Sequence, residues 1–182
     1  MKKLLVVVSL SLALVLALSS FAMADSVIKA GYDFSGNVKG SNNVDTERDT
    51  DAGATLGYEY LFPQDQLEYG IGVQYQFERT VKDTNYKFNF IPVYGVLNYK
   101  FPVEGDVKPY VTARLGYNFL TANDDFKNAH DTLGGLYYGA GFGVNISRQF
   151  IVEALYSENK GSLDGGNDIT NHQISLNVGY KF

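Results

Sequence analysis

Over residues 67–77 the chain alternates without a phase error. Leu67, Tyr69, Ile71, Val73, Tyr75 and Phe77 fall on one side; Glu68, Gly70, Gly72, Gln74 and Gln76 fall on the other. A period of two marks a strand with two unlike faces. The length matches the ~9–11 residues with which a tilted strand crosses a bilayer. The same alternation recurs over residues 28–34, 54–62, 93–101, 111–119, 136–146, 150–156 and 174–182, so eight strands are expected. In the fourth, Phe88 and Phe90 are out of step with Ile91 and Val93. A phase change with a bulge just before Pro92 would reconcile them.

The connections after the second, fourth and sixth strands are short (residues 63–66, 102–108 and 147–149). The others cover residues 37–51, 80–85, 120–133 and 159–171, all but the second of them clearly longer. Short turns on one rim and long polar loops on the other describe an all-β, eight-stranded antiparallel up-and-down transmembrane β-barrel, with the short turns periplasmic. A soluble barrel of the same strand number would keep its apolar face inside. Volume excludes that arrangement here. Roughly forty apolar positions, many of them Tyr or Phe, cannot fit an interior only just wide enough for side chains. The bulky face therefore points outward, where lipid is the available cover. Tyr60, Phe62, Tyr99, Phe101, Phe150, Tyr180 and Phe182 lie near the short-turn rim, and Phe34, Tyr75, Phe77, Tyr117, Phe119 and Tyr156 near the long-loop rim. Two aromatic belts with aliphatic residues between them suit the two membrane interfaces.

The amino terminus carries the matching address. Met1-Lys2-Lys3 is a basic start, residues 4–18 are apolar and uncharged, and Ala22-Met23-Ala24 supplies small residues at the cleavage positions. That is a secretory signal over residues 1–24, with cleavage before Asp25. A membrane-anchoring helix of fifteen residues would reach only about 22 Å, short of the ~30 Å hydrocarbon core. Residues 25–182 then form one barrel domain. Without Lys2 and Lys3 it holds 13 basic and 20 acidic residues, a net charge of −7, which leaves no footprint for nucleic acid. With no cysteine there is neither disulfide nor thiolate metal site.

The closing run Ile174-Ser-Leu-Asn-Val-Gly-Tyr-Lys-Phe182 resembles the C-terminal signal of bacterial outer-membrane proteins, with Ile174, Leu176, Val178, Tyr180 and Phe182 on one face. The resemblance implies recognition by the barrel-assembly machinery. Pro109-Tyr-Val-Thr-Ala-Arg-Leu-Gly-Tyr-Asn-Phe119 and Tyr138-Gly-Ala-Gly-Phe-Gly-Val144 resemble strands of the small OmpA/OmpX-like barrels, the porin-family β-barrel domain. That likeness covers residues 25–182. It implies an outer-membrane location, with lipids and lipopolysaccharide as surroundings, and identifies a fold more than an activity. No periplasmic peptidoglycan-binding domain is expected, since the chain stops at Phe182.

Inward-facing charge is the candidate functional feature. Lys29, Glu59, Glu68, Lys100, Arg114, Glu153 and Lys181 count to the periplasmic half of the interior, with Asp33 near mid-height. Charges with little room for water must pair. A salt-bridge network that plugs the lumen fits a narrow barrel better than a gate or proton path. Arg114, the one arginine that this alternation places inside, is expected to face Glu59, Glu68 and Glu153 as the hub. The leading expectation is a non-enzymatic barrel acting in envelope integrity or in surface interaction through its loops, its surface ligand unnamed. A narrow channel or small-solute carrier is the alternative, and a lipid-modifying enzyme the second alternative. For the enzyme, His172 with Ser157 or Ser162 and Glu158 offers the residue types of a hydrolase. His130 and His172 make no metal-ligand spacing, and no cofactor is indicated. Asp45–Asp51 and Asp164–Asp168 lack the order of a calcium loop and read as solvated loop charge.

Overall fold

The computed structural model describes residues 24–34, 36–40, 47–82, 87–122, 132–147, 149–163 and 167–182. Residues 1–23, His130, Asp45 and Asp164 lie outside the described residues. The described residues form twelve strands: β1 (Asp25–Asp33), β2 (Asn37–Gly40), β3 (Glu47–Asp49), β4 (Gly53–Gln64), β5 (Leu67–Gln76), β6 (Arg79–Thr80), β7 (Lys87–Lys100), β8 (Val107–Ala122), β9 (Thr132–Leu133), β10 (Gly135–Ile146), β11 (Phe150–Leu163) and β12 (Asn167–Lys181). Eight of these, β1, β4, β5, β7, β8, β10, β11 and β12, pair antiparallel in chain order. β12 then pairs back onto β1, from Val27↔Lys181 to Asp33↔Ser175, and closes the barrel. Closure satisfies the backbone groups that an open edge would leave bare in an apolar surrounding.

Alternation sorts the wall into two faces. Ile71, Leu115 and Phe142 each leave about two thirds of their surface uncovered, far more contiguous apolar area than a soluble monomer shows. Edge-to-face aromatic pairs rim both ends: Tyr60–Phe62, Tyr99–Phe101 and Phe150–Tyr180 at the short-turn rim, Tyr32–Phe34, Tyr75–Phe77 and Tyr117–Phe119 at the other. The short turns take left-handed backbone at Asp65, Ser147 and Gly105.

The expected bulge before Pro92 is absent. β7 alternates unbroken, with Phe88, Phe90, Pro92, Tyr94, Val96 and Asn98 all turned inward and buried. Its register against β8 runs without a shift from Phe88↔Ala122 to Lys100↔Tyr110. The slip lies in the facing segment instead. Val73 pairs with Val93, but Arg79 pairs with Phe88, so residues 74–78 oppose residues 89–92 with one residue to spare. Phe77 and Glu78 are consecutively exposed, and Arg79 turns inside. Phe88 and Phe90 look out of phase in the sequence because inward positions beyond the membrane band can be apolar. Here they are buried, as are Leu120, the cross-strand partner of Phe90, and Val81, towards the outer end of the lumen.

The wall also continues outward past the eight-strand band. β2 pairs with β12, β3 with β2, β6 with β7, and β9 with β11. Thr50 bridges Val81, while Asp51 N–H donates to Thr80 O (3.1 Å) and Lys82 N–H to Asp49 O (3.0 Å). Segments that the sequence assigns to loops, within residues 37–51, 80–85, 120–133 and 159–171, thus contribute strands to a collar.

Candidate functional site

The inward residues meet at three levels. The central level is a square of two cations and two anions. Arg114 Nη2 on β8 lies 2.7 Å from both Glu59 Oε1 on β4 and Glu153 Oε1 on β11. Lys29 Nζ on β1 closes the square at 2.8 Å from Glu59 Oε2 and 3.0 Å from Glu153 Oε2. Tyr94 donates to Glu59 (3.0 Å), and Tyr110 and Asn177 donate to Glu153 (2.9 and 3.3 Å). The Arg114 guanidinium also sits 5.1 Å from the centre of the Tyr94 ring. All four charged side chains are buried, the two carboxylates completely. In that low-dielectric setting each charge depends on its partners. The free space beside Lys29, Gln74, Tyr94, Arg114 and Asn177 is about 10 Å³, at most one water.

Below it, towards the short-turn rim, Glu68 binds Lys100 and Lys181, the latter at 2.6 Å, and Lys181 reaches Asp25 at 3.1 Å. This group faces an open vestibule of about 540 Å³. Above the square, Asp33 accepts hydrogen bonds from Thr55, Ser175 and Arg79, and Arg79 also donates to Gln173. Both Asp33 and Arg79 are buried.

Two expectations need correcting. Arg114 meets Glu59 and Glu153 but not Glu68, which belongs to the lysines of the lower group. Arg114 is also not the only inward arginine: the slip at Phe77–Glu78 adds Arg79, which pairs Asp33 in an outer group rather than at mid-height. The consecutive polar pair Glu78-Arg79, breaking the alternation, was the available signal. Arg114 does not act alone as the hub, since Lys29 also spans Glu59 and Glu153.

The hydrolase set does not assemble around Ser157. Ser157 is buried on the inner face, whereas His172 and Glu158 meet on the outer face, with Nδ1 3.1 Å from Glu158 Oε2 and 2.9 Å from the Tyr156 hydroxyl. The side chain of Ser162 lies outside the described residues. Among the described residues no group of three or more His, Cys, Asp or Glu could hold a metal ion. In the closing run, Ile174, Leu176, Val178 and Phe182 are exposed on the outer wall, Phe182 N–H donates to Ser26 O (2.9 Å), and the Tyr180 and Phe182 rings meet at 4.9 Å.

The fold is shared with solved structures. Neisserial surface protein A matches with a TM-score of 0.57 at 17% identity, over 86% of this chain and 97% of that one. Ail, the attachment invasion locus protein of Yersinia pestis, matches with a TM-score of 0.51 at 20% identity, over 87% and 99%. OprG from Pseudomonas aeruginosa matches with a TM-score of 0.51 at 15% identity, over 88% and 96%. At these identities the likeness shows the fold. No curated protein matches the sequence. The family profile of the outer membrane protein beta-barrel domain matches residues 10–182. With its closed eight-stranded barrel and outward apolar wall, the chain belongs to that family and resides in the bacterial outer membrane.

Proposed function

We propose that the protein is a closed, non-catalytic barrel that contributes to envelope integrity and to surface interaction through its outer collar and loops. The square of Lys29, Glu59, Arg114 and Glu153 carries this reading. It joins four strands across the lumen and leaves about 10 Å³ beside it. A hydrated ion needs a continuous wide path, and drawing these groups apart to make one would leave buried charges unpaired. Buried Val81, Phe88, Phe90 and Leu120 support a second constriction at the outer end. In this reading residues 1–24 are removed on export, residues 174–182 serve the barrel-assembly machinery, and lipid including lipopolysaccharide covers the wall.

The test is single-channel recording of the purified mature barrel in a planar bilayer. The closed reading expects no steady conductance above the bare membrane. A stable open level in the wild-type protein would replace it with the narrow-channel reading.

A further inference from the structure

We propose that the outward faces of β10, β11 and β12 form a binding site for a phosphorylated glycolipid headgroup of the outer leaflet. The proposal rests on the reading of the outer wall as lipid-covered. In register, Tyr138 lies opposite Glu158 and Glu158 opposite His172, while Lys160 lies opposite Thr170 one step further out. These residues share the outward face with Tyr156 and Ile174, as Ser157 and Asn159 between them point inward and are buried. Towards the membrane centre the same face is apolar: Phe142 and Ala140 on β10, Val152 and Ala154 on β11, Val178, Leu176 and Ile174 on β12. From Phe182 to His172 the tilted strand climbs about 25 Å, the height of a barrel's apolar band. The first polar row thus falls at the outer interface.

A carboxylate on this wall is costly against hydrocarbon, yet Glu158 stands there in a built surround. Its side chain is only 9% exposed, with His172 Nδ1 at 3.1 Å and Lys160 Nζ at 3.4 Å. The Tyr156 ring stacks on His172 at 6.3 Å, its hydroxyl 2.9 Å from Nδ1, and Lys160 Nζ lies 6.0 Å from the centre of the Tyr138 ring. On the far side, Lys39 of β2 lies opposite Thr170, with Glu47 of β3 opposite Lys39. Asp49, opposite Asn37, is held by Lys82 at 3.4 Å.

The chemistry matches one headgroup class. Lys160, Lys39 and the His172 ring supply donors to a phosphate, the role that basic residues near a bilayer surface serve. Glu158 holds Lys160 and His172 in place and accepts from a sugar hydroxyl or amide N–H. Tyr138 and Tyr156 give flat apolar faces with polar tips at interface depth, suited to a sugar ring. A glycerophospholipid offers the phosphate without the ring; a phosphorylated sugar lipid offers both.

The test uses the mature barrel in phosphatidylcholine nanodiscs doped with bis-phosphorylated lipid A, phosphate-free lipid A or phosphatidylglycerol, with bound lipid counted by native mass spectrometry. The wild type is expected to enrich bis-phosphorylated lipid A over both other lipids. Lys160→Gln with His172→Gln is expected to lower that enrichment roughly fivefold, and Lys160→Gln alone part of the way. Lys87→Gln, a collar lysine paired to Glu78 at 3.1 Å, is the control and leaves it unchanged. Equal uptake of the three lipids, or full enrichment in a folded double variant, overturns the site. The double variant remains closed in bilayer recordings if the lumen reading is right, so failure of one inference does not mimic failure of the other.

Discussion

Tyr110 lies across Gly143, its direct partner in the pairing of β8 and β10: a Cβ at that glycine would fall 2.6 Å from the ring. Beyond the glycine the hydroxyl reaches Glu153 at 2.9 Å. Tyr94 repeats the device over Gly72 and reaches Glu59 at 3.0 Å. A glycine opposite each tyrosine makes room for a ring to lie along the wall with its polar tip at the charge square. Gly143→Val should therefore push Tyr110 aside and strip one donor from Glu153. Overpacking of this kind costs ~1–3 kcal/mol. Urea unfolding in lipid vesicles measures it, and an unchanged midpoint would show that the ring position is immaterial.

The two faces should fail differently. Val73 points to the lipid side, while Gly72 beside it points inward under Tyr94. Val73→Arg should cost ~2–4 kcal/mol near the bilayer midplane. Gly72→Gln should cost a comparable amount by crowding Tyr94. In detergent micelles, where a long side chain reaches water, the Val73 penalty should shrink and the Gly72 penalty persist. Equal behaviour of the two variants in both media would contradict the assignment of faces.

What the sequence made legible follows from what repeats. The alternation in residues 67–77 states which side of β5 meets lipid, and the cross-strand partners agree, because a period of two leaves no third option. Arg79 was hidden for the same reason. One extra residue at Phe77–Glu78 reverses every face after it, and nothing local says which strand of a pair carries the extra residue. Phe88 and Phe90 misled by hydrophobicity alone: an apolar inward residue beyond the bilayer looks like an outward one within it. Which inward charges meet was also beyond a single chain reading. Arg114 and Glu68 count to a similar height, but the stagger between strands brings Glu68 to Lys100 and Lys181 instead.

The carboxy terminus separates folding from delivery. Phe182 is exposed on the outer wall, held by one backbone hydrogen bond to Ser26 and a ring contact with Tyr180. Deleting it removes little packing, so refolding of the purified chain into detergent should stay near wild-type yield. If residues 174–182 are read by the assembly machinery, the same deletion should sharply lower the folded, heat-modifiable band in cells. Loss in both settings, or in neither, would count against a recognition role.

Arg114 gives the most direct link between stability and closure. Its guanidinium joins Glu59 and Glu153 from one nitrogen at 2.7 Å each, with Lys29 alone opposing the same two carboxylates. Arg114→Ala leaves two buried anions sharing one lysine. Breaking one side of a buried ionic set typically costs ~3–5 kcal/mol, reduced where water enters the space vacated. That entering water is also what an ion requires, so lost stability and raised conductance should appear together in this variant. Arg114→Lys keeps the charge but presents an ammonium rather than a planar fork, and it should recover much of the closure with less of the stability. Asp49→Ala, which removes only an exposed pair with Lys82, should move neither quantity beyond ~0.5 kcal/mol or the recording baseline. Urea midpoints and single-channel records on the same preparations decide the matter. A folded Arg114→Ala barrel with wild-type stability and no conductance would show that the square is not what keeps the lumen shut.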